Sequence, residues 1–194
     1  MRRAIWAGAV LALTGAALAP QPAVDGPRYV NGMNLVRPTE YREWMFLGSG
    51  IDMTYQPPDA SKGRQSFSNV YVNPSAYRAF MQSGKWPDRS GFLLEIRAAG
   101  SGGAINGNTS ARYQTDLVAL EAEVKDSRFP DGWAFFDFGQ RENLRDAAEP
   151  LAGERVARCI ECHTKHTAVE RTFVQFYPTL LEVARKMGTV KPGH

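Results

Sequence analysis

The sequence predicts an α+β fold, mainly β, built on an antiparallel sheet with several helices. Three observations predict it: short runs with the two-residue period of strands follow one another, turn-like segments join them, and helical spacing dominates the last third. Residues 1–19 stand apart from this pattern. Arg2 and Arg3 precede an uncharged apolar run from Ala4 to Ala19 ending in Ala17-Leu18-Ala19, the form of a secretory signal peptide, with cleavage there or as late as Ala23. The run is shorter than the roughly 18 residues a membrane span requires. Export to the periplasm is therefore expected.

Residues 20–38 are rich in Pro, Gly and Asn and read as a linker or wrapping arm. A single domain over residues 39–194 is expected, with ordered structure starting near Arg42. "REWMFLG" (Arg42 to Gly48) and "SFSNVYV" (Ser66 to Val72) read as strands separated by a Pro/Gly/Asp loop from Asp52 to Gly63. "NPSAYRAFMQSG" reads as a short helix, with Asn73 as cap, Pro74 first and Gly84 closing it. In "GFLLEIRAAG", Phe92, Leu94 and Ile96 alternate with Leu93, Glu95 and Arg97. "SGGAINGNTSA" lacks the pattern of a phosphate-binding loop and reads as a turn.

"LVALEAEVKD" places Val118, Leu120, Ala122 and Val124 on one face, which assigns Glu121 and Glu123 to a polar, solvated face. "GWAFFDFG" gives another strand, and "PTLLEVARKMG" a final helix bounded by Pro178 and Gly188. No internal repeat is visible.

The whole chain carries 23 Lys+Arg against 20 Asp+Glu. Without residues 1–19, which hold two arginines and no acid, the balance is 21 against 20, so much of the basicity belongs to the leader. No lysine-arginine cluster is left to neutralise a row of phosphates, which argues against a nucleic-acid partner.

Both cysteines lie in "RCIECHTKH", late in the chain. In CxxCH, two thiols can form thioethers to haem vinyl groups while the adjacent histidine ligates the iron. The motif thus predicts one covalently attached haem c, held through Cys159 and Cys162 with His163 as axial ligand, in a C-terminal helical region against the sheet. Three other readings use the same residues: a redox disulfide, which belongs after a strand and at a helix start; a zinc site from Cys159, Cys162, His163 and His166, compact for that metal; and a structural disulfide. For a sixth iron ligand, Met33, Met45, Met53, Met81 and Met187 are available, along with His166 and His194. An open position is the reading adopted.

"LVRPTEYREWMFLGSG", "FSNVYVNPSAYRAFMQSGKWPD", "LLEIRAAGSG", "LVALEAEVKDSRFPDGWAFFDFG", "CIECH" and "TFVQFYPTLL" together resemble the cytochrome P-460 family, which includes the β-type cytochromes c-prime. The resemblance runs from about Leu35 to Leu181. It implies a mainly antiparallel β fold, often a homodimer, with one five-coordinate c-type haem. Members with the P-460 chromophore oxidise hydroxylamine and carry a lysine bonded to the haem ring. At the matching position this sequence has Leu94, so the resemblance is closer to members without that bond. Lys85 and Lys125 read as surface charges.

The implied ligand is a small diatomic such as nitric oxide in an apolar distal pocket, with Phe67 and Phe92 as candidate caps and Leu94 and Glu121 as further candidates. Arg97 and Asp137 are the other strand-borne charges able to approach a pocket, and Arg155 and Arg158 could pair with haem propionates. Oxidation of hydroxylamine or nitric oxide, with a redox partner cytochrome, is the alternative function. A plain electron carrier with a methionine ligand is the second alternative.

Overall fold

The computed structural model describes residues 25–53, 65–101 and 111–194. The leader expected over 1–19, most of the loop after Asp52 and most of the glycine-rich turn fall outside these residues. Among the described residues no helix is long and apolar enough to cross a membrane.

The central element is a five-stranded antiparallel sheet: β3 (Met45–Ile51), β4 (Ser66–Val72), β5 (Ser90–Ser101), β6 (Arg112–Lys125) and β7 (Trp133–Gln140). Spatial order equals chain order, so every connection joins neighbours. Residues 42–43 belong to a 3₁₀ turn, so β3 starts later than the aromatic run suggests. The fold is mainly β, as the alternation predicts.

Order also begins earlier than Arg42. Within the described part of the arm, β1 (Tyr29–Val30) pairs with β2 (Asn34–Val36), and β2 pairs with β8 (Ala147–Ala148) in a second antiparallel sheet. Strands of two and three residues leave little periodicity to read. Long-range contacts specify them: Leu35 is buried, and the Tyr29 hydroxyl donates to Asp126 Oδ2 at 3.0 Å.

Among the described residues there are three α-helices: α1 (Pro74–Ser83), α2 (Gly153–Lys165) and α3 (Pro178–Lys186). Gly84 closes α1 in the left-handed conformation (φ 67°) that glycine adopts without a Cβ penalty. Asn73 stands at the start of α1 but does not cap it. Its Oδ1 accepts from the Gly91 amide at 2.7 Å, and the cap comes from Asp25, whose Oδ2 accepts from the Ser75 amide at 2.8 Å.

Each face of the large sheet has its own apolar core. On the outer face Leu93, Leu120, Ala122, Val124, Phe136 and Phe138 pack under Leu35, Tyr41 and Ala148 from the small sheet and its connections. On the inner face Val72 and Phe92 pack with Phe80 of α1, Trp86, and Leu180 and Ala184 of α3. This second core fills only one end of the inner face. The other end is spanned by α2.

The candidate haem site

Register fixes which side chains share the inner face. Phe92 stands opposite Glu123, Leu94 opposite Glu121, and Val70 opposite Leu94. On the far side, Phe135 pairs with Glu123 and Asp137 with Glu121. Phe92, Leu94, Glu121, Glu123 and Phe135 therefore project together, and they form the floor of a cavity of about 820 Å³. That volume lies within the roughly 300–1,000 Å³ of cofactor-sized sites.

The assignment of Glu123 to a solvated face is thus corrected, whereas Glu121 is exposed as expected, beside the cavity. Alternation separates them properly from Leu120, Ala122 and Val124, but both faces of β6 are covered, one by a core and one by the cavity wall. Glu123 is only 9% exposed, whereas Glu121 is open to the cavity space. Burial, then the neighbouring Asp137, pushes the Glu121 carboxyl above its ordinary pKa, against the pull of Arg155 and His163. Asp137 itself is ion-paired with Arg155 at 2.6 Å, so Arg155 is held against the sheet at this side of the cavity. Arg97 turns to the opposite face, where its Nε lies 3.1 Å from buried Glu95.

The roof is α2. Val156, Cys159, Ile160 and His163 follow the i, i+3, i+4, i+7 spacing of one helical stripe, and all four are half-buried. None of the helix's 13 residues is buried. An amphipathic helix normally lays its apolar stripe into a protein core; here Cys159 and His163 of that stripe face the cavity, together with Cys162. Both thiols and His163 line that space.

His163 is the most constrained of the three. Its Nδ1 donates to the Arg171 carbonyl at 2.8 Å, and Phe135 and Phe173 pack against the ring edge-on, each with centroids 4.8 Å away. Because a carbonyl only accepts, Nδ1 carries a proton, and in the neutral ring Nε2 keeps its lone pair. That tautomer suits ligation of a metal through Nε2, with the second nitrogen fixed by an outer hydrogen bond. The turn carrying the carbonyl is itself fastened. Thr172 Oγ1 donates to Val169 O at 2.8 Å while accepting from Trp86 Nε1 at 2.8 Å, and Thr167 Oγ1 donates to the carbonyls of His163 and Glu170.

Glu123 Oε1 lies 3.1 Å from the same Nδ1, off the line of the hydrogen bond to Arg171. Burial lowers the His163 pKa, but the charge and contact of Glu123 outweigh it and the net direction is up. Burial likewise drives Glu123 up.

The competing readings of CxxCH fare differently here. Cys159 is the seventh residue of α2, away from the helix N-terminus that would acidify a redox thiol. Burial pushes both thiols up, reinforced by Glu121 and Glu123 at Cys159 and by Glu161 at Cys162. They are neutral, unactivated thiols, free rather than joined to each other. No group of three or more His, Cys, Asp or Glu among the described residues is arranged to hold a metal ion, which removes the four-donor zinc reading.

Of the pocket candidates, Phe92 and Leu94 line the cavity and Phe67 does not. Phe67 stands opposite Arg97 and Ile51, one residue out of phase with Val70 and Leu94, and so points to the other face. Phe92 is also a core residue, 4.7 Å from Trp86 and stacked on Trp133 at 6.3 Å. Lys125 Nζ is tied to Trp86 O at 2.6 Å and Glu170 Oε1 at 2.7 Å, and Lys85 is exposed; no lysine is among the described residues lining the cavity. Met53 is the methionine that lines it, while Met187 packs beside Gly84. Phe173, Phe176 and Tyr177 complete the wall. Their spacing of three and four residues on a turn was the available sequence signal.

The fold and site define a mainly β protein whose sheet is roofed by a CxxCH helix enclosing a cofactor-sized, largely apolar cavity. A sequence model of the cytochrome P460 family matches residues 38–174, well over half of the chain, and the chain belongs to that family. No curated protein matches it. Family membership makes the implied cofactor a haem, and the residues fit one: a histidine with Nε2 left for iron, two thiols in the same wall, largely apolar surroundings and a sufficient volume.

Proposed function

We propose that the protein is a periplasmic mono-haem c-type cytochrome that binds a small nitrogen oxide, nitric oxide being the model ligand. A bound haem would supply an iron with an exchangeable coordination position. Cys159 and Cys162 would hold it by thioethers and His163 would ligate it, keeping the ring fixed through Phe135, Phe173 and the Arg171 carbonyl.

The observation that carries the ligand assignment is the wall remote from His163. Leu94 and Val70 lie one and two strands beyond β6, roughly 5–10 Å across the sheet, and next to them Gly48 and Gly50 present backbone only. This wall favours a small neutral ligand over an anion, because an apolar surface offers no compensation for lost hydration.

A second reading, oxidation of hydroxylamine or nitric oxide with electrons passed to a partner cytochrome, is supported by Glu121. A carboxyl that lines the cavity, its pKa raised by burial and then by Asp137, is placed to exchange a proton with a bound substrate. The leucine at position 94 weighs against the cross-linked chromophore that accompanies hydroxylamine oxidation in the resembling family members.

Absorption spectra of the ferric and ferrous protein, before and after nitric oxide, test the proposal. The expected result is a high-spin spectrum that converts on adding the gas. A low-spin, unresponsive spectrum overturns it in favour of an electron carrier, with Met53 the candidate ligand. Turnover of hydroxylamine with an artificial acceptor favours the second reading. Cys162→Ser is expected to weaken or abolish covalent haem retention on a denaturing gel, and His163→Ala to shift the ferrous spectrum.

A further inference from the structure

Glu123 is a buried carboxylate with an incomplete set of partners. Its Oε1 is inaccessible to solvent and accepts no hydrogen bond within the described residues, yet it sits 3.1 Å from His163 Nδ1. A carboxylate taken out of water without compensation costs several kcal/mol, so its position calls for a compensating charge. The guanidinium that acts on it through charge is Arg171, whose Nη1 is also buried without a hydrogen-bond partner among the described residues and whose Nη2 is 3.8 Å from Asp131. Arg171 therefore makes no hydrogen bond to Glu123, and the group in contact with the carboxylate is the imidazole.

We infer that Glu123 is a positioning and tuning residue for the iron ligand: its carboxylate abuts the Nδ1–H of His163, increases electron density on the ring, and thereby favours ferric over ferrous iron. This inference rests on the haem reading of the site. Second-shell hydrogen bonding is one of the levers by which a protein sets a haem potential. The geometry offers two acceptors to one proton, the neutral Arg171 carbonyl at 2.8 Å and the anionic Glu123 at 3.1 Å. Nδ1 keeps its proton throughout, no bond breaks, and reduction adds one electron to the iron.

The placement suits this role. Glu123 reaches the ring from the sheet floor, between Phe135 and Phe92 on the neighbouring strands. Those aromatic neighbours exclude water, and low local polarity strengthens the interaction. An iron held by His163 would gain from a negative charge behind that imidazole, and its own charge would supply the compensation the carboxylate lacks.

The test is a spectroelectrochemical titration of the full-length, haem-loaded protein against Glu123→Gln. At a fixed applied potential the variant is expected to hold about tenfold more ferrous relative to ferric protein, equivalent to 59 mV for one electron. The iron–histidine stretching frequency of the ferrous form is expected to fall. Asp116→Asn, which removes an exposed carboxylate of the same strand that pairs with Arg141 and does not line the cavity, is expected to leave that frequency unchanged. Should Glu123→Gln not accumulate, Glu123→Asp withdraws the carboxylate by one methylene and is expected to shift the ratio in the same direction by a smaller factor. An unchanged ratio and frequency in whichever variant is loaded overturns the inference while leaving the haem assignment standing. A wild-type protein without covalent haem overturns both.

Discussion

The two faces of the five-stranded sheet each bury a glutamate, on adjacent strands, and they treat it in opposite ways. On the outer face Glu95 is 1% exposed and fully engaged: Tyr41 Oη donates at 2.7 Å, Asn69 Nδ2 at 2.9 Å, Arg97 Nε lies at 3.1 Å, and Arg42 adds a further short contact. Burial alone would raise its pKa, but these donors outweigh it and hold the carboxyl below the usual range. The same contact, after burial, lifts the Tyr41 hydroxyl to about 12. On the inner face Glu123 has one ring nitrogen for company and its pKa moves up. A buried charge with a complete set of partners is part of the framework. One with an incomplete set marks a place where chemistry is done.

The sharpest way to test that contrast uses neighbouring residues that face opposite ways. Phe136 is 1% exposed and packed with Tyr29 and Phe129 on the outer face. Phe136→Ala is expected to cost about 4 kcal/mol in urea unfolding, the usual range for a large core truncation. Phe135→Ala, which enlarges a wall of the cavity, is expected to cost roughly half as much and to broaden the His163 environment in NMR. Equal costs would show that the inner face is as tightly packed as the outer.

Glu95→Ala comes next, at about 3 kcal/mol, because it strands Arg97 and Asn69 around a missing acceptor. For a chain of this size that is a fall in Tm of roughly 6–12 °C by calorimetry. The pH dependence follows from the depressed carboxyl. Its contribution is present above the ordinary glutamate pKa of about 4.3 and is lost as pH falls through the lower folded-state value. The difference between wild type and variant should therefore narrow on acidification. A constant difference would mean that the loss is one of packing rather than charge.

The smallest expected effect belongs to Arg155→Ala. Arg155 pairs with Asp137 at 2.6 Å, but its side chain is 57% exposed, so the stability cost should stay below about 1 kcal/mol. A larger loss in thermal unfolding would show that this pair anchors α2 over the cavity.

By itself the sequence determined the local structure and the cofactor chemistry. The run Ser66–Val72 is legible because its β-rich composition and bounding turns are local properties, and the helix at Pro74–Ser83 because Pro74 and Gly84 mark its ends. CxxCH is legible because a thiol, a thiol and an imidazole at that spacing form a local pattern, readable without the fold. Alternation also separated Glu121 and Glu123 from the apolar residues of β6. It could not say what covers the second face, since a period of two reports only that side chains point opposite ways. That decision was made by α2, thirty residues further along the chain, which roofs the polar face and turns a solvated-looking pair into cavity walls. The acceptor for His163 was likewise out of reach, because a backbone carbonyl carries no residue signature. The Arg171 carbonyl, the two-residue strands of the arm and the partners of Glu95 depend on groups brought together only by folding.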